Sequence, residues 1–151
     1  MRKELLISAL IMLGSLVLTG ACIGAVIINE VELNPPGDER KSVYPEWVEL
    51  YNDGDQADIS DWNVSTSHGE SVILPEGTTI PSYGTYIVRS DFAWLEDENE
   101  TITLRDSSGA IVDQTPVLTD KDNNEYAWSR IAGTKTNRSS DWNFQASSYN
   151  F

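Results

Sequence analysis

The sequence predicts an all-β protein: an immunoglobulin-like antiparallel β-sandwich, preceded by an N-terminal hydrophobic signal helix. Beyond residue 25, no segment shows the i, i+3, i+4, i+7 apolar spacing of an amphipathic helix. Instead, about eight or nine short strand-like runs alternate with turn residues every ~8–12 positions, which is typical of sandwiches. The chain contains five Trp residues, which supply bulk for a core between two layers. We expect the indole of Trp62 to lie in that core.

The first segment, residues 1–25, has the layout of a secretory signal peptide. A basic start is followed by a long apolar stretch without charged residues, and small residues gather near its end. Cleavage after Ala25 would leave Val26 as the first mature residue. Two alternatives remain open. The uncleaved segment is long enough to anchor the chain in a bilayer, and Cys22 ends a sequence loosely similar to a lipoprotein box and would then carry a lipid.

Each of these routes places the domain outside the cell or on the outer face of its membrane. We expect membrane contact only through an uncleaved or lipidated N-terminus. The net charge is −14, and loss of the first segment, which carries +1, makes it −15. Such a polyanion repels nucleic acid and anionic lipid, so the expected partner is a protein or another cell-surface component. Cys22 is the only cysteine, so the mature domain is expected to form no disulfide.

The chain then reads as a series of strands and turns. Residues 26–33 predict a first strand, which a run of Asn, Pro and Gly ends. The stretch 46–62 predicts a strand, a tight turn at Gly54 and a second strand. Within it Val48 and Leu50 share one face, because successive side chains of a strand alternate. The sandwich organises around this stretch.

Further strands follow up to residue 131, and the predicted sandwich domain spans residues 26–132. The tail, residues 133–151, is polar but carries Trp142 and Phe144, and we expect it to lie on or beside the sandwich. The remaining predicted strands are residues 62–66, 71–74, 85–89, 100–105, 110–115 and 125–131, the last of which we take as the final long strand.

An ordered set of residues carries a family resemblance. The set comprises Ile28-Asn29-Glu30-Val31, Asn34-Pro35 and Gly37; Glu46-Trp47-Val48-Glu49-Leu50-Tyr51-Asn52 and Gly54; Asp58-Ile59-Ser60-Asp61-Trp62; Leu74-Pro75-Glu76-Gly77-Thr78, Ile80-Pro81 and Tyr86-Ile87-Val88; Leu104-Arg105-Asp106, Gly109 and Asp113; and Trp128-Ser129-Arg130. In order and spacing it resembles the lamin-tail domain (LTD), an immunoglobulin-like module of nuclear lamins and of secreted prokaryotic proteins. The resemblance implies a sandwich of seven to nine strands without catalytic residues. It also implies the role of an accessory module, here expected to stand alone.

Catalytic residues are not expected. His68, the only histidine, lies in a polar turn, where we expect it to face solvent rather than join a Ser-His-Asp triad. Glu46 and Glu49 have opposite parity on a strand and should point to opposite faces, so they do not form a glycosidase pair. We expect these carboxylates to be solubilising charges, apart from an ion pair to Arg130 or Arg105, and we expect Glu30 or Glu49 to pair with Arg130.

We expect the domain to bind no cofactor, and calcium is the one alternative. The run Asp120-Lys121-Asp122-Asn123-Asn124 has the Asp-x-Asp-x-Asn start of a calcium loop, with Asp120, Asp122 and Asn124 as candidate ligands. Glu125 stands where an EF-hand requires Gly, and Ile131 stands where it requires Glu, so this is no EF-hand. Turn chemistry explains the same Asp and Asn residues equally well.

Three sequons, at Asn63, Asn99 and Asn137, are candidate glycosylation sites. Taken together, the sequence predicts an exported, non-enzymatic binding or scaffolding module at the cell surface. The first alternative is a structural subunit that assembles with copies of itself through edge strands or its aromatic tail. The second is a calcium-binding accessory module of a secreted hydrolase system.

Overall fold

The structure is a computed structural model, and it describes residues 26–37 and 46–149. The predicted signal segment and Cys22 lie outside the described residues. Eleven strands and one short 3-10 helix, Ser139–Asp141, make up the described part of the chain. The strands are β1 Val26–Glu32, β2 Trp47–Asn52, β3 Ala57–Asp58, β4 Asn63–Thr66, β5 Ser71–Ile73, β6 Thr79–Ile80, β7 Thr85–Arg89, β8 Ile102–Arg105, β9 Ile111–Gln114, β10 Tyr126–Arg130 and β11 Trp142–Ala146.

The strands form two main antiparallel sheets. The larger has the order β11-β10-β1-β2-β7 and the smaller the order β5-β4-β8-β9, while β3 and β6 form a separate two-stranded pair. The predicted all-β sandwich is confirmed. Two hairpins fall where turn residues predicted them: β4 pairs with β5 around residues 67–70, and β8 pairs with β9 around residues 106–109. Gly109 takes a φ of 87° in the second turn, which glycine adopts without steric cost.

The core lies between the two main sheets. Val48 and Leu50 point into it from the larger sheet, and Val64 and Leu104 point into it from the smaller one. Trp62 is half-buried and packs against this cluster, as predicted. Side chains of both layers therefore share one apolar interior, and its burial is the main favourable term in folding.

The turn after β2 sends the chain to the opposite sheet. Although the sequence indicated a strand, a turn and a second strand, β2 pairs with β1 and β7, whereas β4 pairs with β5 and β8. The buried side chain of Asn52 holds this crossing, since its amide donates to the carbonyl oxygens of Ile80 and Pro81 and accepts from the N–H of Gly54. β2 and β4 consequently lie in different layers.

A β-bulge in β1 decides which side chains face the core. The pairing shifts from Ile28 opposite Leu50 to Glu30 opposite Glu49, so an extra residue is inserted at Asn29. As a result Ile28 and Val31 are both core residues. Glu30 lies on the outer face of the five-stranded sheet, away from the smaller sheet.

The predicted pairing of Arg130 with Glu30 or Glu49 is wrong. Arg130 points between the sheets, and its Nη2 lies 2.6 Å from Oδ2 of Asp113 on β9. Glu49 instead accepts a hydrogen bond from Nδ2 of Asn29 at 2.8 Å, and Glu30 accepts from Ser148. Neither glutamate faces Arg130. The bulge turns Glu30 to the outer face, and Glu49 lies on that face because it alternates with the core residues Val48 and Leu50.

The chain after β10 completes the larger sheet. β10 is not the final strand, because β11 pairs with it along its whole length. Beyond β11 the chain crosses the outer face, where the N–H of Ser148 donates to Glu30 at 2.8 Å and the Tyr149 ring lies 5.7 Å from the Trp47 ring. These contacts bury side chains on the outer face of the larger sheet as well. The predicted boundary between residues 132 and 133 stays a prediction.

Candidate functional site

Three aromatic rings form a patch on the β10–β11 hairpin. Phe144 of β11 lies between Tyr126 and Trp128 of β10, with ring centroids 5.6 Å and 5.2 Å away. Tyr126 is 46 % exposed and Phe144 is 39 % exposed, whereas Trp128 is half-buried. The indole N–H of Trp128 donates to the carbonyl oxygen of Thr119 at 3.1 Å, which fixes the ring. We call these three residues the aromatic patch.

Among the residues that the structure describes, the strand beside the patch, β11, has an open edge, because no further strand pairs with its outer side. The N–H of Ser147 donates to the Glu125 carbonyl oxygen and the N–H of Ile131 donates to that of Asp141. Because backbone groups of an antiparallel strand alternate between its two sides, residues 143 and 145 also bond to β10. The N–H and C=O groups of Phe144 then point away from β10, on the side where the strand order of the sheet ends.

The composition of this edge suits pairing with another strand. β11 contains no charged residue and no proline, and its middle residue exposes an aromatic ring. Natural edge strands usually carry Lys, Pro, a bulge or a covering loop, since unpaired N–H and C=O groups template further strands. The arrangement is chemically able to accept an extended segment by main-chain hydrogen bonding, with the aromatic patch contacting its side chains.

His68 lies in the β4–β5 turn and is exposed, as predicted. Its Nδ1 is 2.9 Å from Oε2 of the fully buried Glu100. Ser67 donates its hydroxyl to Oε1 of the same carboxylate at 2.8 Å. A serine nucleophile must instead donate to the imidazole, so this Ser-His-Glu neighbourhood is not a catalytic triad.

Glu100 is a structural acceptor for the surrounding loops. Its carboxylate accepts the N–H groups of Ser67, Glu96 and Thr101 at 2.9, 3.0 and 2.8 Å. We expect Glu100→Ala to lower the free energy of unfolding by about 2–3 kcal/mol, because several partly buried donors lose their acceptor. Urea denaturation measures this change.

The matched control for that substitution is Glu98→Ala. Glu98 is half-exposed and pairs on the surface with Lys121 at 2.8 Å, so its removal should change stability by less than about 1 kcal/mol. Equal losses in the two variants would contradict the structural role of Glu100.

The other candidate carboxylates also have structural contacts. Glu46 is buried, and its Oε2 accepts the N–H groups of Trp94 and Leu95, both at 2.7 Å. Burial is the main cause that raises the pKa of Glu49, and the neighbouring charge of Glu30 raises it further.

The three candidate calcium ligands of the run 120–124 differ in burial and in their contacts. Asp120 is 3 % exposed, and its Oδ1 accepts the N–H of Asp122 at 2.9 Å. Asp122 is exposed. The amide oxygen of Asn124 accepts the N–H of Tyr126 at 2.7 Å. In residues 26–37 and 46–149 no three His, Cys, Asp or Glu side chains form a group able to hold a metal ion.

The sequon residues differ in exposure. Asn99 and Asn137 are exposed, whereas Asn63 is half-buried on β4. Their use for glycosylation stays a prediction, as does lipidation of Cys22. The described part of the chain includes no helix of the length and apolar character needed to cross a bilayer.

The fold and site define an immunoglobulin-like β-sandwich with an open sheet edge. The sequence model of the Lamin Tail Domain family matches residues 20–129. The chain belongs to this family, and the resemblance found in the sequence is confirmed. The family is one of non-catalytic immunoglobulin-like domains. No curated protein and no solved structure matches the chain. β11 lies beyond the matched residues, so the open edge is formed by a segment outside the family match.

Proposed function

We propose that this chain is an exported, non-catalytic binding module that takes an extended peptide segment of a cell-surface protein on its β11 edge. The single observation that carries the proposal is the outward-facing backbone of Phe144, flanked by the aromatic patch. Main-chain bonds to such an edge supply affinity, and the rings supply contact area that is specific for apolar side chains. The net charge of −14 supports a partner other than nucleic acid.

Phe144→Pro tests this mode of binding. Proline removes the outward N–H, yet it breaks no bond to β10, because the N–H of Phe144 points away from that strand. Phe144→Leu is the control, since it keeps the N–H and an apolar side chain. The assay measures retention of purified protein on washed envelopes of the source cells. We expect Phe144→Pro to reduce retention at least about fivefold, on the order of 1 kcal/mol, and Phe144→Leu to reduce it less.

Equal retention of wild type and Phe144→Pro would contradict binding through the edge. Phe92→Ser provides a second control, because Phe92 is 57 % exposed but lies on a different loop, and its loss should leave retention unchanged. Export has its own readout, the mass of the native N-terminus. A chain that begins at Val26 supports release, a lipid on Cys22 or an intact leader supports surface attachment, and an intact chain confined to the cytoplasm contradicts export.

Self-assembly through the same edge is the second candidate function. The observation that favours it is that β11 carries neither charge nor proline, so a second copy could pair with it antiparallel about a two-fold axis. Light scattering across a concentration series distinguishes the candidates. Self-assembly predicts a mass that rises with concentration and falls back to the monomer in Phe144→Pro, whereas a module for another protein stays monomeric.

A further inference from the structure

A second feature lies where β1 ends. Within residues 26–37 and 46–149, three side-chain oxygens there are buried without a hydrogen-bond partner: Oε1 of Glu32, Oδ1 of Asn34 and Oδ2 of Asp120. These residues are only 1 %, 5 % and 3 % exposed. Buried acceptors are almost always satisfied in proteins, so each exception requires an explanation. Three unsatisfied oxygens on neighbouring side chains indicate a ligand that these oxygens bind.

The three side chains are held together by their remaining polar atoms. The backbone N–H of Asn34 lies near the carboxylate of Glu32. The amide Nδ2 of Asn34 faces the carbonyl oxygen of Asp120 at 3.4 Å. This contact sets the orientation of the amide, because the opposite orientation would place two oxygens against each other. Asp120 itself is fixed by its N–H, which donates to the carbonyl oxygen of Asp97 at 2.7 Å.

The surroundings of these three side chains carry negative charge. The carboxylates of Asp120 and Glu30 lie close enough to Glu32 for their charges to act on it, and Glu32 itself is almost completely buried. Asp120 is likewise buried, and the charges of Asp122 and Asp97 act on it. Within the described residues, neither carboxylate forms an ion pair with Lys, Arg or His. A cation would relieve the repulsion and fill the unused oxygens at once.

We propose that Glu32, Asn34 and Asp120 form a binding site for a divalent cation, and that calcium is the ion their oxygen atoms favour. All three donors are oxygens, which suits a hard cation. Calcium accepts mixed carboxylate and amide ligands in irregular geometry, whereas magnesium requires a near-ideal octahedron. Two carboxylates match its charge of +2, and water or backbone carbonyl oxygens complete the shell.

This site differs from the calcium loop that the sequence indicated. It shares Asp120 with that loop, but it uses Glu32 and Asn34 from the end of β1 instead of Asp122 and Asn124. Calcium therefore ties the end of β1 to the loop that precedes β10. An affinity of roughly 10⁻⁴–10⁻³ M is typical of extracellular modules, and this is the range we expect. The site is independent of the β11 edge, so its failure would leave the proposed function standing.

The test is calorimetric titration of the EDTA-treated protein with CaCl₂ at constant ionic strength, followed by thermal unfolding. We expect one site per chain and a rise in Tm of roughly 4–8 °C at a calcium concentration about tenfold above Kd. Glu32→Gln and Asp120→Asn should weaken binding at least tenfold. Both replacements keep the side-chain shape while they remove a buried charge, so the variants should fold.

Asp122→Asn is the matched control. If the ion is held at the end of β1, this variant binds calcium within about threefold of wild type. If the loop 120–124 holds the ion, Asp122→Asn loses binding while Glu32→Gln retains it, and the proposal is overturned. Terbium gives a second readout, since Trp47 pairs with Glu32 across the sheet and can sensitise a nearby lanthanide. The proposal would also be overturned if 5 mM calcium produced neither a heat of binding nor a Tm shift in the wild type.

Discussion

Replacing Arg130 by Met is expected to lower the free energy of unfolding by about 3–5 kcal/mol, the usual result of breaking a buried ion pair from one side. The Arg130 side chain is 1 % exposed. Besides contacting Asp113, it donates Nε to the carbonyl oxygen of Ile28 at 2.8 Å and Nη1 to that of Thr136 at 2.7 Å. Its guanidinium also lies 4.7 Å from the centre of the Trp142 ring. One side chain therefore connects β1, β9, β10 and β11.

The partner explains why the loss should be large. The Asp113 side chain is only 8 % exposed, and its Oδ2 also accepts the N–H of Ile28 at 2.8 Å. Burial raises the pKa of Asp113, while Arg130 acts in the opposite direction. Without Arg130 the carboxylate loses its counter-charge, and the carbonyl oxygen of Ile28 loses a buried donor. Protonation of Asp113 will recover part of this cost, so the loss should be larger at pH 8 than at pH 5.

Two controls isolate the ion pair. Arg105→Met removes a half-exposed arginine whose Nη1 makes one bond, to the carbonyl oxygen of Gly109, and it should cost less than about 1 kcal/mol. The double variant Arg130→Met, Asp113→Leu should regain much of the loss, because two apolar side chains often replace a buried pair without cost. Urea denaturation gives all three values. A loss below about 1 kcal/mol in Arg130→Met would show that the pair does not stabilise the sandwich.

Glu32 is expected to make the metal-free protein less stable as the pH rises. Its pKa is raised from 4.5 to about 8 in the folded state, so the folded chain keeps a proton that the unfolded chain has released. Between these values stability falls by about 1.4 kcal/mol per pH unit, on the order of 5 kcal/mol in total. The contribution is complete below pH 4.5 and is lost above pH 8.

Glu32→Gln removes this dependence, because the amide has no proton to release. In EDTA, wild type and variant should have similar stability at pH 5, which serves as the internal control. At pH 8.5 the variant should be more stable by several kcal/mol. Urea denaturation at a series of pH values measures the difference. If the free energies of unfolding of the two proteins change in parallel from pH 5 to 8.5, the raised pKa of Glu32 is contradicted.

Most of the fold could be predicted because it depends on local patterns. Alternation placed Val48 and Leu50 on the core face without any long-range information. Turn residues with glycine at the required position, such as Gly109, marked the hairpins. These signals depend on two-residue periodicity and on backbone sterics, which the sequence displays directly. They do not specify which strands pair, and so the chain's crossing after β2 to the opposite sheet was not predicted.

The errors arise where the periodicity breaks or where partners are distant in sequence. One inserted residue at Asn29 puts Glu30 on the outer face, whereas simple alternation from Ile28 would place it on the side of Arg130. β11 was not predicted as a strand because it lies in an otherwise polar tail and its strand character depends on pairing with β10. The only sequence signal was the alternation of Trp142, Phe144 and polar residues in the tail. The cation site joins Glu32 to Asp120, two residues far apart in sequence, and no spacing rule connects them.

Amide hydrogen exchange at Phe144, followed by NMR in a dilute monomeric sample, tests most directly whether β11 is an open binding edge. The account predicts that the Phe144 N–H exchanges nearly as fast as in an unfolded chain, while the Gln145 N–H, bonded to β10, is slower by a factor of about 100 or more. Binding of a partner should then protect Phe144 selectively. Protection of Phe144 equal to that of Gln145 in the free monomer would show that the edge is covered, and would contradict the account.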